Sequence, residues 1–165
     1  VGLSTFQGES DTQLLNELLT LLAAAQTDMT IFYRKLADFD PSLPPIDILA
    51  LVQDAFYDPD AMPQELRERY AKWAQTYARR LCTESQGREA RKASMNAVNP
   101  WFVLRNYLAQ QAIELAQGGD YAMLRALDEA LINPYVEQKQ YAQFFVKRPE
   151  WALHRAGSSM LSCSS

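Results

Sequence analysis

Apolar residues recur at steps of three and four along most of this 165-residue chain, which is the period of amphipathic helices rather than of strands. The strongest case is Leu66, Tyr70, Trp73, Tyr77 and Leu81. At about 100° per residue they share roughly an 80° arc, which predicts a helix opening at Pro63 with a narrow buried seam. Glu65, Arg67, Glu68, Lys72 and Arg79 fall on its wet side. Upstream, Leu14, Leu15, Leu18, Leu19 and Leu22 predict a helix capped by Asp11. A second starts near Asp28 and presents Phe32, Leu36 and Phe39, until Asp40-Pro41 breaks it. Pro45 suits the first turn of a third, with Ile48, Leu49 and Val52.

Asp58-Pro59-Asp60 reads as a turn, and residues 88–95 as one short basic helix after Gly87. Pro100 is placed to open a helix running to about Gln117, closed by Gly118-Gly119. Asp120 caps the next, which carries Leu124, Leu127 and Leu131 and ends at Asn133-Pro134. A last helix is expected around Gln138–Val146, before an irregular tail from Pro149. No stretch alternates apolar and polar residues with β-branched enrichment, and no solenoid period is visible. The expected fold class is all-α: an irregular, non-solenoid bundle of seven or eight helices over 1–148, with a tail at 149–165.

Composition adds limits. Hydrophobic residues make up 48% and charged residues 22%, so a folded domain with a real core is expected rather than disorder. The longest apolar run, Leu18 to Ala25 around Thr20, is too short to span a bilayer. Neither a membrane nor a secretory leader is indicated, and the chain reads as a cytoplasmic piece of something longer. The net charge of −4 conceals a segregation. Residues 1–60 hold ten acids against Arg34 and Lys35, whereas residues 65–92 hold eight bases against four acids. The basic stretch lacks aromatic residues on the same face, so it reads as solvated or facing the acidic segment, not as a nucleic-acid surface.

Candidate chemistry is sparse. His154 is the one histidine, with no further ligands at metal-binding spacing. Asp54, Asp58 and Asp60 lack the alternation and the glycine of a calcium loop, so a helix end and a turn are the better reading. Gly118-Gly119 follows a helix rather than a strand and cradles no phosphate. Arg105 and Asn106 sit inside an apolar run from Phe102 to Ile113, which predicts a mostly buried helix in which Arg105 needs a partner. A structural anchor is preferred there over ligand contact. Cys82 reads as a semi-buried thiol beside Leu81, and Cys163 as an accessible thiol near the chain's end.

The stretch Met95-Asn96-Ala97-Val98-Asn99-Pro100, followed by Val103-Leu104-Arg105-Asn106-Tyr107-Leu108-Ala109-Gln110, resembles the selenoprotein O family, whose bacterial members are called YdiU. The match extends to Gly2-Leu3, Glu17–Leu22, Gly119-Asp120, Asn133-Pro134-Tyr135, Pro149-Glu150-Trp151 and Ser162-Cys163-Ser164-Ser165. It covers nearly all of this chain but about the last third of a family member. Trp101 departs from the charged or small residue often found in the family at that position.

The resemblance implies a kinase-like protein adenylyltransferase that moves AMP from ATP to protein hydroxyl groups. ATP and magnesium are then implied for the full-length protein, and no cofactor, metal or catalytic residue for this part. Cys163 matches the family's C-terminal redox residue. Asn99, Pro100, Arg105, Asn106 and Tyr107 are expected to act structurally. The implied partners are the kinase-like region preceding this part and the protein substrates, with no nucleic acid and no membrane. A non-catalytic helical interaction module is the alternative. An independent thiol oxidoreductase is weaker, because there is no Cys-x-x-Cys and no nearby base.

Overall fold

A computed structural model describes residues 1–155. Among them are seven α-helices and four short 3-10 turns, with no strand and one isolated bridge between Thr27 and Phe56. The chain divides into two packed units, Val1–Asn99 and a second beginning at Pro100.

The first unit holds α1 (Glu9–Ala24), α2 (Met29–Leu36), α3 (Ile48–Val52), α4 (Gln64–Leu81) and α5 (Arg88–Val98). All five seam residues of α4 are buried. The Trp73 and Tyr77 rings stack at 5.0 Å, and Tyr77 meets Phe39 at 5.2 Å. The indole N–H of Trp73 donates to the Leu14 carbonyl at 2.9 Å, which joins α4 to α1 without leaving a buried donor unmet. Burial pushes the Tyr70 and Tyr77 hydroxyls up to about 12, so both remain protonated. The second helix starts near Asp28 as expected, and Asp28 caps it, its carboxylate accepting from the Ile31 N–H at 3.1 Å. A 3-10 turn, Pro45–Asp47, leads into α3.

The second unit holds α6 (Asn106–Gln117) and α7 (Ala122–Ile132), followed by 3-10 turns at Lys139–Phe144 and Glu150–Ala152. Its core joins Phe102, Tyr107, Leu108, Ala112, Leu127, Ala130, Phe144 and Ala152. Gly118-Gly119 closes α6 as the sequence predicts. Gly119 takes φ +88°, a conformation that favours glycine, and the N–H of Asp120 returns to the Leu115 carbonyl at 2.9 Å. The Asp120 carboxylate then accepts from the Ala122 N–H at 2.9 Å at the start of α7.

Four local expectations change. Asp11 is not the cap of α1: Gly8 is, and Asp11 lies inside the helix, drawn inward by Arg80. The helix after Pro100 begins six residues later, at Asn106. The Pro134 carbonyl accepts from the N–H groups of both Trp101 and Phe102, at 2.7 and 3.0 Å, and this holds the segment out of helix. The helix expected near 138–146 is a 3-10 turn in which Tyr141 leaves helical geometry. Cys82 is exposed, not semi-buried, because the chain turns away just as α4 ends.

Candidate functional site

The stretch that carries the resemblance straddles the boundary between the units. Its first half ends α5. Asn99 takes an extended conformation, as the residue before a proline should, and Pro100 has no N–H to continue the helix. The Asn99 side-chain amide donates to the Met95 carbonyl at 2.9 Å. From α2, the buried guanidinium of Arg34 donates to the Asn96 and Asn99 carbonyls at 3.1 and 3.0 Å. A helix C-terminus exposes carbonyls with partial negative charge, and a buried cation there satisfies them. Asn99 and Pro100 therefore stop α5 where Arg34 fastens it to α2.

The second half opens α6. Arg105 is the residue preceding the helix, partly buried, and Asn106 is its exposed first residue. Leu104 is 58% exposed and Ile113 is 49% exposed. The mostly buried helix with Arg105 inside it is therefore a misreading. The helix starts later, so Leu104 and Arg105 do not follow its wheel, and the outward side stays wet. Tyr107 ties distant parts of the second unit together. Its ring is buried, its hydroxyl donates over 3.4 and 3.5 Å to the Val146 and Lys147 carbonyls, and its edge meets Trp151 at 6.1 Å. It thereby binds the segment following Phe145 back onto α6.

An ion-pair hub in the first unit was not visible in the sequence. Arg80 of α4 meets both carboxylate oxygens of Asp11, with Nε–Oδ1 at 2.7 Å and Nη2–Oδ2 at 3.1 Å. Its Nη1 donates to Glu84, and its Nη2 to the Thr5 carbonyl at 2.7 Å. Glu84 in turn accepts from the N–H and hydroxyl of Ser4 and from the Thr5 hydroxyl. The Ser4 hydroxyl, more than any other group, holds the Glu84 carboxyl down at about 2. The Arg80 side chain, then the Gln7 N–H, lowers Asp11. Further along, the Tyr77 hydroxyl donates to the Val1 carbonyl at 2.5 Å. Gly2, at φ +73°, presses so closely on α5 that a Cβ there would stand 2.7 Å from Arg91 Cγ and Met95 Sδ. The first seven residues are thus strapped across α4 and α5.

Other candidates stay apart from any common site. His154 is exposed. Asp54 pairs with Lys35 at 2.8 Å, and Asp58 accepts from the Ala61 N–H at 3.0 Å, as a turn residue does. Among the described residues no three His, Cys, Asp or Glu side chains converge on a metal-binding position. No described helix is long and apolar enough to cross a membrane. Cys163 lies outside the described residues.

Known proteins match this chain from end to end. The model of the family described as protein adenylyltransferase SelO matches residues 1–132. A protein nucleotidyltransferase YdiU from Rhodopirellula baltica is 42% identical, covering 100% of this chain and 32% of its own length. The proteins of the same name from Methylobacillus flagellatus and Tolumonas auensis are each 45% identical. They cover 99% and 94% of this chain, which spans 31% and 29% of their lengths respectively. On this similarity, the chain belongs to the SelO family of protein adenylyltransferases, of which it represents about a third.

Proposed function

We propose that this chain is the C-terminal helical part of a protein adenylyltransferase. The whole protein would transfer AMP from ATP to Ser, Thr or Tyr hydroxyls of other proteins in the cytoplasm. The part described here completes and buttresses the kinase-like region. ATP and magnesium would be held by the portion of the longer protein outside this chain. The observation that carries this reading is the similarity itself: it runs through the whole chain but through less than a third of most relatives. The family-like motif supports it, because Asn99, Pro100 and Tyr107 spend their side chains on ending a helix, redirecting the chain and packing a core. Those are supporting duties. In the same proposal, Cys163 is a thiol whose oxidation state adjusts the activity of the whole protein.

The test is transfer of AMP to protein acceptors, read as the mass added to a hydroxyl side chain. The full-length protein should add AMP and the 165-residue chain should add none. Transfer by the chain alone would place catalytic groups within it and end this reading. Replacing Cys163 with Ser in the full-length protein should abolish the response of transfer to oxidant while leaving the reduced rate intact. An unchanged response would remove the redox assignment.

A further inference from the structure

We infer that an open groove in the first unit docks a segment of another protein in which Lys or Arg residues flank apolar ones. The groove has a volume of ≈ 660 Å³ and lies between the turn before α3, α3 itself and the start of α4. Its floor is apolar and closed, made by the buried Phe56 and Met62. Ile46 forms part of its wall and remains 49% exposed. An apolar side chain of a partner would find there a floor and a wall already in place, in the manner of a segment laid into a groove.

The charge on the rim selects the partner. Asp47 and Asp60 line the groove, are exposed, and form no ion pair among the described residues. The cation beside them, Arg67, also lines the groove, and its side chain is committed to the chain's own backbone. Its Nε donates to the Met62 carbonyl at 3.1 Å and its Nη2 to the Pro59 carbonyl at 2.6 Å, so it closes the loop beneath the groove. The two basic residues among the first sixty are also engaged: Arg34 on the end of α5, and Lys35 with Asp54. Asp47 and Asp60 on the rim, with the exposed Asp58 two residues before Asp60, outnumber Arg67, so the rim carries a net negative charge. A cationic partner is drawn in, whereas nucleic acid and anionic bilayers are repelled. Apolar floor and anionic rim together fit a basic, amphipathic segment.

The experiment uses a short fluorescent amphipathic peptide of Leu and Lys, with its Leu–Glu counterpart as control, and follows anisotropy on the 165-residue chain. The Leu–Lys peptide should bind with a Kd on the order of micromolar. Asp47→Lys combined with Asp60→Lys should weaken it by at least about tenfold, and the uncharged Ile46→Ser should weaken it as well. All three positions are exposed, and circular dichroism confirms folding of each variant. Asp128→Lys on α7 changes the net charge equally per site and should leave the affinity nearly unchanged. The proposal is overturned by equal weakening in Asp128→Lys, by equal binding of the Leu–Glu peptide, or by no binding. It is also overturned if sedimentation shows a dimer that the same groove substitutions abolish, which would make a second copy the occupant. Loss of probe binding in the full-length protein would make the groove an internal contact and likewise overturn it.

Discussion

Arg80 and Asp11 stand 69 positions apart in the chain and form a two-point, buried ion pair between α4 and α1. Because Arg80 also holds the Thr5 carbonyl and Glu84, it fixes the first residues of the chain as well as the two helices. Arg80→Met should therefore do more than lower stability. It leaves Asp11 buried without its cation, and loss of one partner of such a pair is strongly destabilising. A fall in melting temperature on the order of 10 °C is expected, with protease cleavage before Glu9 accelerated ahead of global unfolding. Cleavage that tracks global unfolding alone would show that the strap does not depend on Arg80.

The same hub sets a pH dependence. The Glu84 carboxyl is lowered from 4.5 to about 2 in the folded chain, and Asp11 is lowered too. A depressed carboxylate contributes stability that is fully present above its unfolded value and lost as pH falls toward the folded one. Melting temperature should thus fall from about pH 4.5 toward pH 2. Glu84→Gln should be less stable at neutral pH and show a shallower acid limb. Parallel curves for the two proteins would contradict the assignment.

Gly2 tests the strap from its other end. Alanine there meets both a left-handed backbone and a contact of 2.7 Å with Arg91 and Met95. The expected cost is about 1–3 kcal/mol in denaturant unfolding. Gly8→Ala shares the positive φ but has nothing within 4 Å. It should cost less, and the difference between the two isolates the steric part.

Arg34→Met leaves the Asn96 and Asn99 carbonyls without a buried cationic donor. A loss of about 2–3 kcal/mol is expected, with faster amide exchange concentrated in the last turn of α5. Uniform exchange across the unit would argue against a local fastening role.

Tyr107 separates ring from hydroxyl. Its hydrogen bonds are long, at 3.4 and 3.5 Å, so Tyr107→Phe should cost under about 1 kcal/mol. Tyr107→Ala removes the ring from the core and should cost about 3–5 kcal/mol. Equal losses would shift the importance to the hydroxyl.

How much of this was readable in the sequence follows from range. The α4 seam was legible because five large residues repeat at helical steps within one segment. The start of α2 near Asp28 and the stop at Gly118-Gly119 were legible because such signals act within a turn of the chain. Asp11 misled for the same reason: an acid near a helix start looks like a cap, and its true partner arrives with Arg80 from another helix. Pro100 looked like a first-turn proline because the acceptor that keeps Trp101 and Phe102 extended, the Pro134 carbonyl, is contributed from far along the chain. With that start misplaced, the burial of Leu104 was misjudged too. The partners that Asn99 and Tyr107 meet were not legible, because Arg34 and the Val146 and Lys147 carbonyls come from far along the chain. Family membership needed no geometry, since the motif from Met95 to Gln110 carried it.

The central claim, that this helical part supports chemistry located elsewhere in a longer adenylyltransferase, is tested most directly by calorimetry with ATP and magnesium. The account predicts binding heat for the full-length protein and none for the 165-residue chain. Saturable micromolar binding by the chain alone would contradict it.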